Sequence, residues 1–468
     1  MEYEVLLVEP DFPYPTKSKN QANGVHKNFV PVGLLKLGAY YKSLGSKVRL
    51  VRGEKSKAEL EFDSPNLILV SSIFTYWSSY VWNAIKHYRI LFPESIIILG
   101  GIYSTLHHNK KCFKKKLKDY DVECHVGLHA EAEQFYPDYS LLESEIDHHV
   151  THAMRGCIRR CKFCGVWKIE PVLQYKTSEE LQKEIVSVGK NKVIFFDNNF
   201  LANENVEQIL EDLRLLKVNS RPIIFESQSG FDGRLLENNP NLAKLLKEAR
   251  FHNVRIAWDN SFSDYPSIKK QINYLVTAGY KARDIYVFMI YDFDEPYDEM
   301  LKKLNCCKKL GVQISDCRYR PLEATKDNYN SAKFRKGQTK EEYYIHTQAG
   351  WTDQKIRDFR KRVRQHNIWV RYAKDKGRPY SNEMEKWSYR HNTYKFFKLG
   401  RPPSWEVIKE SKILRNRLTN MKRIKTYCEK NKITHIDLSG LSENEIDDEI
   451  GRMIDIISEN RGQLQSSD

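Results

Sequence analysis

Ten short β-rich apolar runs, each followed by an amphipathic stretch, constrain the fold of this 468-residue chain more than any other feature. The first five are Glu4 to Pro10, Lys47 to Gly53, Leu67 to Ser72, Ser95 to Gly101 and Val122 to Gly127. That alternation predicts βα units around a parallel, doubly wound sheet. The second five are Val193 to Asp197, Pro222 to Gln228, Arg255 to Asp259, Ile285 to Phe293 and Gln313 to Pro321. Their starts are ~28–33 residues apart, the length of one strand, one helix and two loops. With one more strand placed just before Cys157, the second series makes about six βα units. A closed (β/α) barrel needs about eight, so the expectation is a partial, open barrel. Both series belong to an α/β fold class, and 41% hydrophobic residues suffice for two or three cores.

After about Ala324 the strand signal fades into charged, aromatic, helix-like text broken by Pro402-Pro403. The expected domains are therefore 1–145, a Rossmann-like sheet; 146–324, the partial barrel; and 325–468, a basic and mostly helical region. Residues 331–430 carry 27 Lys and Arg against 10 Asp and Glu, a surplus of +17 in a chain whose net charge is +15. Such a field attracts polyanions. Trp369, Tyr372, Tyr380, Trp387, Tyr389 and Tyr394 stand among these charges, as rings on which nucleic-acid bases stack. A solvated helical face with packed aromatics accounts for the same text. The basic region thus leaves open a nucleic acid or another anionic partner.

Met1-Glu2-Tyr3-Glu4 is acidic where a secretory signal would be basic. A charge-free run between Asp63 and Lys86 is broken by Pro65, Asn66 and Asn83, which reads as a strand, a loop and a helix start. The chain is accordingly expected to be cytoplasmic and to have no membrane partner. Nine cysteines form an odd set in such a chain, which favours metal or redox chemistry over a disulfide framework.

Three of the nine, Cys157, Cys161 and Cys164, have CxxxCxxC spacing directly after the first strand of the second series. A loop with three thiols at this spacing can fold around a [4Fe-4S] cubane and ligate three of its four irons. No fourth cysteine lies nearby, which leaves one iron open. Arg155, Arg159, Arg160 and Lys162 are expected to lower the thiol pKa values and to offset the cluster's charge. The competing readings are a structural zinc site completed by His152, and three unligated thiols; zinc sites usually carry a second CxxC or HxxxH pair, absent here.

With Phe163 as the aromatic residue before the last cysteine, Cys157 to Cys164 resembles the signature of the radical S-adenosylmethionine (radical SAM) superfamily. Four further segments look like ordered landmarks of the subfamily with an N-terminal cobalamin-binding-like domain. These are Pro31 to Leu35, Ile97 to Gly101, Tyr136 to Tyr139 and Arg155 to Cys157. The resemblance implies S-adenosylmethionine on the open iron, reductive cleavage to a 5′-deoxyadenosyl radical, and an electron donor such as flavodoxin or ferredoxin. It also implies cobalamin, with cobalamin-dependent methyl transfer as one outcome on an unknown substrate. An iron–sulfur protein that binds nucleic acid without radical activity is the alternative.

By the same resemblance, cofactor-binding roles fall to Phe163, Asp197, Asn198, Gln228, Arg234 and Asp259. The polar ones have a competing reading as caps or surface ion pairs. Asp197-Asn198-Asn199 departs from the glycine- and glutamate-rich pattern usual at that strand end. No Asp-x-His-x-x-Gly occurs in residues 1–150, so histidine ligation of cobalt is not expected. His107 and His108, after the Gly100-Gly101 pair, read as solvated loop residues before cobalt ligands. Cys306, Cys307 and Cys317 read as packed thiols before an auxiliary cluster.

Overall fold

The computed structural model describes residues 3–14, 29–60, 64–326 and 349–372. Its first compact unit takes in the described residues up to 363, and so holds both strand series; residues 364–372 belong to a second unit. Most of the basic region, including Tyr380, Trp387, Tyr389 and Tyr394, lies outside the described residues. Its described part includes a long basic helix, Asp353–Tyr372.

The first series forms a five-stranded parallel sheet, from β1 (Glu4–Glu9), β2 (Lys47–Arg52), β3 (Leu67–Ser72), β4 (Ile96–Gly101) and β5 (Glu123–Cys124), in the order β2-β1-β3-β4-β5. This is the doubly wound arrangement whose strand order reverses beside β1. Because side chains alternate across a strand, Leu6 and Val8 pack with Trp82 and Tyr88 on one face, while Val5 and Leu7 pack with Leu34 and Leu35 on the other. The charge-free run resolves into β3, a short turn of helix (Thr75–Trp77) and the helix Ser78–Leu91.

Six parallel strands follow: β6 (His149–Thr151), β9 (Lys192–Phe195), β12 (Ile224–Ser227), β13 (Arg255–Ala257), β14 (Tyr286–Tyr291) and β15 (Gln313–Arg318). The first three pair as β12-β9-β6 and the last three as β13-β14-β15. Parallel bridges Phe225↔Phe251 and Phe231↔Ile256 connect the two groups. The resulting arc is the partial, six-unit barrel expected from the spacing. Phe195, Phe200, Phe225 and Phe251 pack ring against ring within its core. Its helices carry their own start and stop signals. Thr177 and Glu180 form a capping box for Ser178–Val188, and Gly189 ends that helix in the left-handed conformation.

Two small hairpins complete the strands. The pair β10 (Lys217–Val218) and β11 (Arg221–Pro222) closes one outer turn. The antiparallel pair β7 (Met154–Arg155) and β8 (Gln174–Tyr175) closes the base of the segment that carries the three cysteines. Among the described residues, no helix is long and apolar enough to cross a membrane.

Candidate metal centre

The cysteine loop leaves the end of β6 and is held by the three residues that follow Phe196. Asp197 is fully buried, and its carboxylate accepts from the backbone N–H of Ala153 (2.9 and 3.0 Å) and of Met154 (2.7 Å). Burial raises its pKa to about 7, although these N–H groups pull the other way. Asn198 donates to Glu170 Oε2 at 2.7 Å, and the same oxygen accepts from the Gly156 N–H at 2.9 Å. Asn199 donates from Nδ2 to Cys157 Sγ at 3.9 Å. Three consecutive residues therefore hold Ala153 to Cys157 in order.

Gly156 is needed here because its φ is +76° and an added Cβ would lie 3.0 Å from the Val172 carbonyl oxygen. Arg155 spans Glu170 Oε1 and Glu133 Oε2, at 2.8 Å each, and Glu133 also takes the Lys36 ammonium at 2.8 Å. This chain of ion pairs reaches from the helix Val32–Ser43 to the cysteine loop. Farther along, Arg159 and Arg234 share Asp232, at 2.9 and 2.7 Å. Burial works to raise the Asp232 pKa, but the two guanidinium groups hold the carboxyl below its usual range. Asp232 also caps the helix Gly233–Asn238 by accepting from Arg234 N.

The three thiols are close enough to influence one another's ionisation. The expected lowering of their pKa values is not found for Cys161 and Cys164: burial pushes both up, and Asp259 adds to it. The reason is that the nearby cations are already paired, Arg155 with Glu133 and Glu170, Arg159 with Asp232, while Lys162 reaches Asp294 at 3.8 Å. Metal binding would release the thiol protons. Backbone N–H groups already point at two of the sulfurs, from Arg159 to Cys157 (3.4 Å) and from Val166 to Cys164 (3.5 Å).

Among the described residues, no three His, Cys, Asp or Glu side chains converge as ligands of a single metal ion. A cubane differs in offering a separate iron to each thiol, so its ligands stand wider apart. His152, offered for zinc, accepts from Arg155 Nε at 3.2 Å. The donor set, the N–H groups aimed at sulfur and the buried, unpartnered oxygens Asn199 Oδ1 and Gln228 Oε1 fit a cluster with a bound ligand beside it.

The remaining candidates are distributed as follows. Phe163 packs edge-on against Phe293, ring centroids 6.0 Å apart. Gln228 follows β12, with its N–H bonded to Phe195 O at 2.9 Å. Asp259 follows β13, accepts from Ile290 N at 3.3 Å, and has its pKa raised to about 6 by burial. Arg234 is engaged by Asp232. His107 is not a solvated loop residue: it ends the helix Ile102–His107, is buried, and its Nε2 lies 2.9 Å from Leu322 O. His108 contacts Thr105 O at 2.8 Å. Cys306 and Cys307 are buried in the barrel core, and Cys317 lies apart from them on β15. Sequence reasoning missed Glu170, Glu133, Lys36 and Asp232; only Asp232 carries a local signal, as an N-cap residue.

The sequence profile of the radical SAM superfamily matches residues 152–312, from just after β6 to just before β15. This stretch of the chain is a radical SAM domain. It contains all three cysteines and four of the six barrel strands in full, β9, β12, β13 and β14. No curated protein matches the chain. Among solved structures, the chain is similar to the cobalamin-dependent S-adenosylmethionine radical enzyme OxsB, at 12% identity and a TM-score of 0.45, over 98% of this chain and 84% of OxsB. It is also similar to Streptococcus suis SuiB bound to S-adenosylmethionine, at 12% identity and a TM-score of 0.31, over 55% of this chain and 61% of SuiB.

Proposed function

We propose that the protein is a radical SAM enzyme that holds one [4Fe-4S] cluster on Cys157, Cys161 and Cys164. The observation that carries this reading is the cysteine loop itself, clamped at the carboxyl end of the barrel strands by Asp197, Asn198, Asn199 and Glu170. When bound and reduced, the cluster supplies the electron that cleaves S-adenosylmethionine to a 5′-deoxyadenosyl radical. The chain's own residues fix the loop, shield it with Phe163 and Phe293, and present Gln228 and Asp259 from neighbouring strand ends. An external donor such as flavodoxin or ferredoxin provides the electron in the cell. Anaerobically reconstituted protein given dithionite and S-adenosylmethionine should release 5′-deoxyadenosine. A loaded cluster without that product would leave an iron–sulfur protein lacking radical activity.

The N-terminal sheet is the proposed seat of cobalamin, and methyl transfer the proposed outcome. The support is the doubly wound strand order and the Gly100-Gly101 turn at the end of β4. Purification in the presence of hydroxocobalamin should leave a corrinoid spectrum on the protein, and its absence would remove cobalamin from the reading.

A further inference from the structure

Asn199 is buried beside the cysteine loop, and only one end of its side-chain amide is engaged. It is only 4% exposed, yet among the described residues its one hydrogen-bond partner is the Cys157 sulfur, 3.9 Å from Nδ2. The other end of the amide, Oδ1, is buried with no partner. A buried amide usually satisfies both ends, because each orphaned polar atom costs free energy. Asp197 and Asn198, by contrast, fasten the backbone and Glu170. A sulfur that ligates a cluster carries negative charge, which favours the N–H end of the amide over its carbonyl end.

We infer that Asn199 is a positioning residue that sets the reduction potential of the cluster through its N–H···S contact with Cys157. The inference rests on the cluster assignment proposed above. A donor aimed at a cluster sulfur is favoured more as the cluster gains negative charge, so it stabilises the reduced state and raises the potential. Cys157 already accepts from Arg159 N at 3.4 Å, and Asn199 adds a second donor on the same sulfur. Cluster potentials span a wide range, set partly by such hydrogen bonds. In this chain a side chain, which mutation can remove, supplies part of that control.

The test is a redox titration of the reconstituted cluster followed by electron paramagnetic resonance, comparing the wild type with Asn199→Leu and Asn199→Ser. Leucine keeps the bulk and removes the donor; serine retains an O–H. Asn199→Leu should load wild-type iron and sulfide but reduce at a more negative potential. A tenfold fall in the reduced-to-oxidised ratio at the wild-type midpoint corresponds to about 59 mV for a one-electron couple. A fully loaded leucine variant with the wild-type midpoint would overturn the inference. Should Asn199→Leu take up no cluster, Asn199→Ser decides: loading with a midpoint near wild type supports the donor role, and any other result rejects it. Failure of the wild type to bind iron and sulfide would instead sink the proposed function, so the two failures are distinguishable.

Discussion

The N-terminal sheet and the barrel are built from the same βα unit, yet their strands end differently. At the carboxyl edge of the sheet, β2 runs into Gly53, β3 into Phe74, Tyr76 and Trp77, and β4 closes on Gly100-Gly101. The barrel strands β9, β12 and β13 run instead into Asp197, which is fully buried, and into Gln228 and Asp259, which are half-buried. Glycine and aromatic ends leave room for a bound molecule, whereas the buried Asp197 carboxylate holds the cysteine loop in one geometry. The difference supports the proposed cluster in the barrel and the proposed cobalamin on the sheet.

The most severe way to break this comparison is to replace Cys157, Cys161 and Cys164 together with alanine. Iron and sulfide should fall to background, while the far-ultraviolet circular dichroism of both α/β halves stays near wild type. Retained iron would place the cluster elsewhere and dissolve the contrast between the halves.

The same contrast explains what was legible in the sequence. Parallel strands are buried on both faces, so β1, β3 and β14 read as continuous apolar runs, and their spacing revealed both sheets and the count of six barrel strands. The cysteine spacing is equally local. Asp197, Asn198, Gln228 and Asp259 were visible as polar ends of apolar runs, but not their tasks, since Asp197 meets a backbone 43 and 44 residues away. Glu170 gave no signal, because its partners Gly156 and Asn198 lie 14 and 28 residues off in opposite directions. The expected influence of the loop's arginines on the thiols failed for a similar reason: their carboxylate partners come from distant segments.

A smaller effect sharpens the comparison from inside the barrel. Glu184 is buried beneath β6, where it accepts from the His149 ring at 3.1 Å and pairs with the Lys176 ammonium at 2.6 Å. Glu184→Ala strands the lysine charge, and removing one partner of a buried pair costs roughly 3–5 kcal/mol. Chemical denaturation of the metal-free protein should show a loss of this size. A loss below about 1 kcal/mol, the worth of an exposed pair, would mean that water reaches the group.

Gly101→Ala is the corresponding perturbation of the sheet. The residue has φ +98°, and an added Cβ would lie 2.0 Å from the Ser72 carbonyl oxygen, a backbone atom that cannot step aside alone. Backbone strain of this kind costs about 1–3 kcal/mol. The change should lower stability while leaving iron and sulfide at wild-type levels. Loss of the cluster in this variant would show that the edge of the sheet and the barrel mouth form one cooperative element.

A further effect is a pH dependence in which two carboxyls of the barrel act with opposite sign. Although burial works to raise it, the His149 ring and the Lys176 ammonium hold Glu184 down to about 2, from an ordinary 4.5. Below 4.5 the unfolded chain binds a proton that the folded one refuses, so this stabilisation is present above 4.5 and is lost as pH falls toward 2. Asp197 behaves in reverse. Burial lifts it from 3.8 to about 7, so between these values the folded chain keeps a proton that the unfolded chain has released. Stability therefore declines as pH rises through that window and levels off above it, by at most about 1.4 kcal/mol per pH unit for one proton. Asp197→Asn removes the titrating group but keeps an acceptor for the Ala153 and Met154 N–H groups. Unfolding free energies of the metal-free protein measured across the window should fall less steeply with pH in that variant than in wild type. Parallel curves would mean that the N–H groups of Ala153 and Met154 keep Asp197 ionised throughout, and that its clamp on the cysteine loop does not depend on pH.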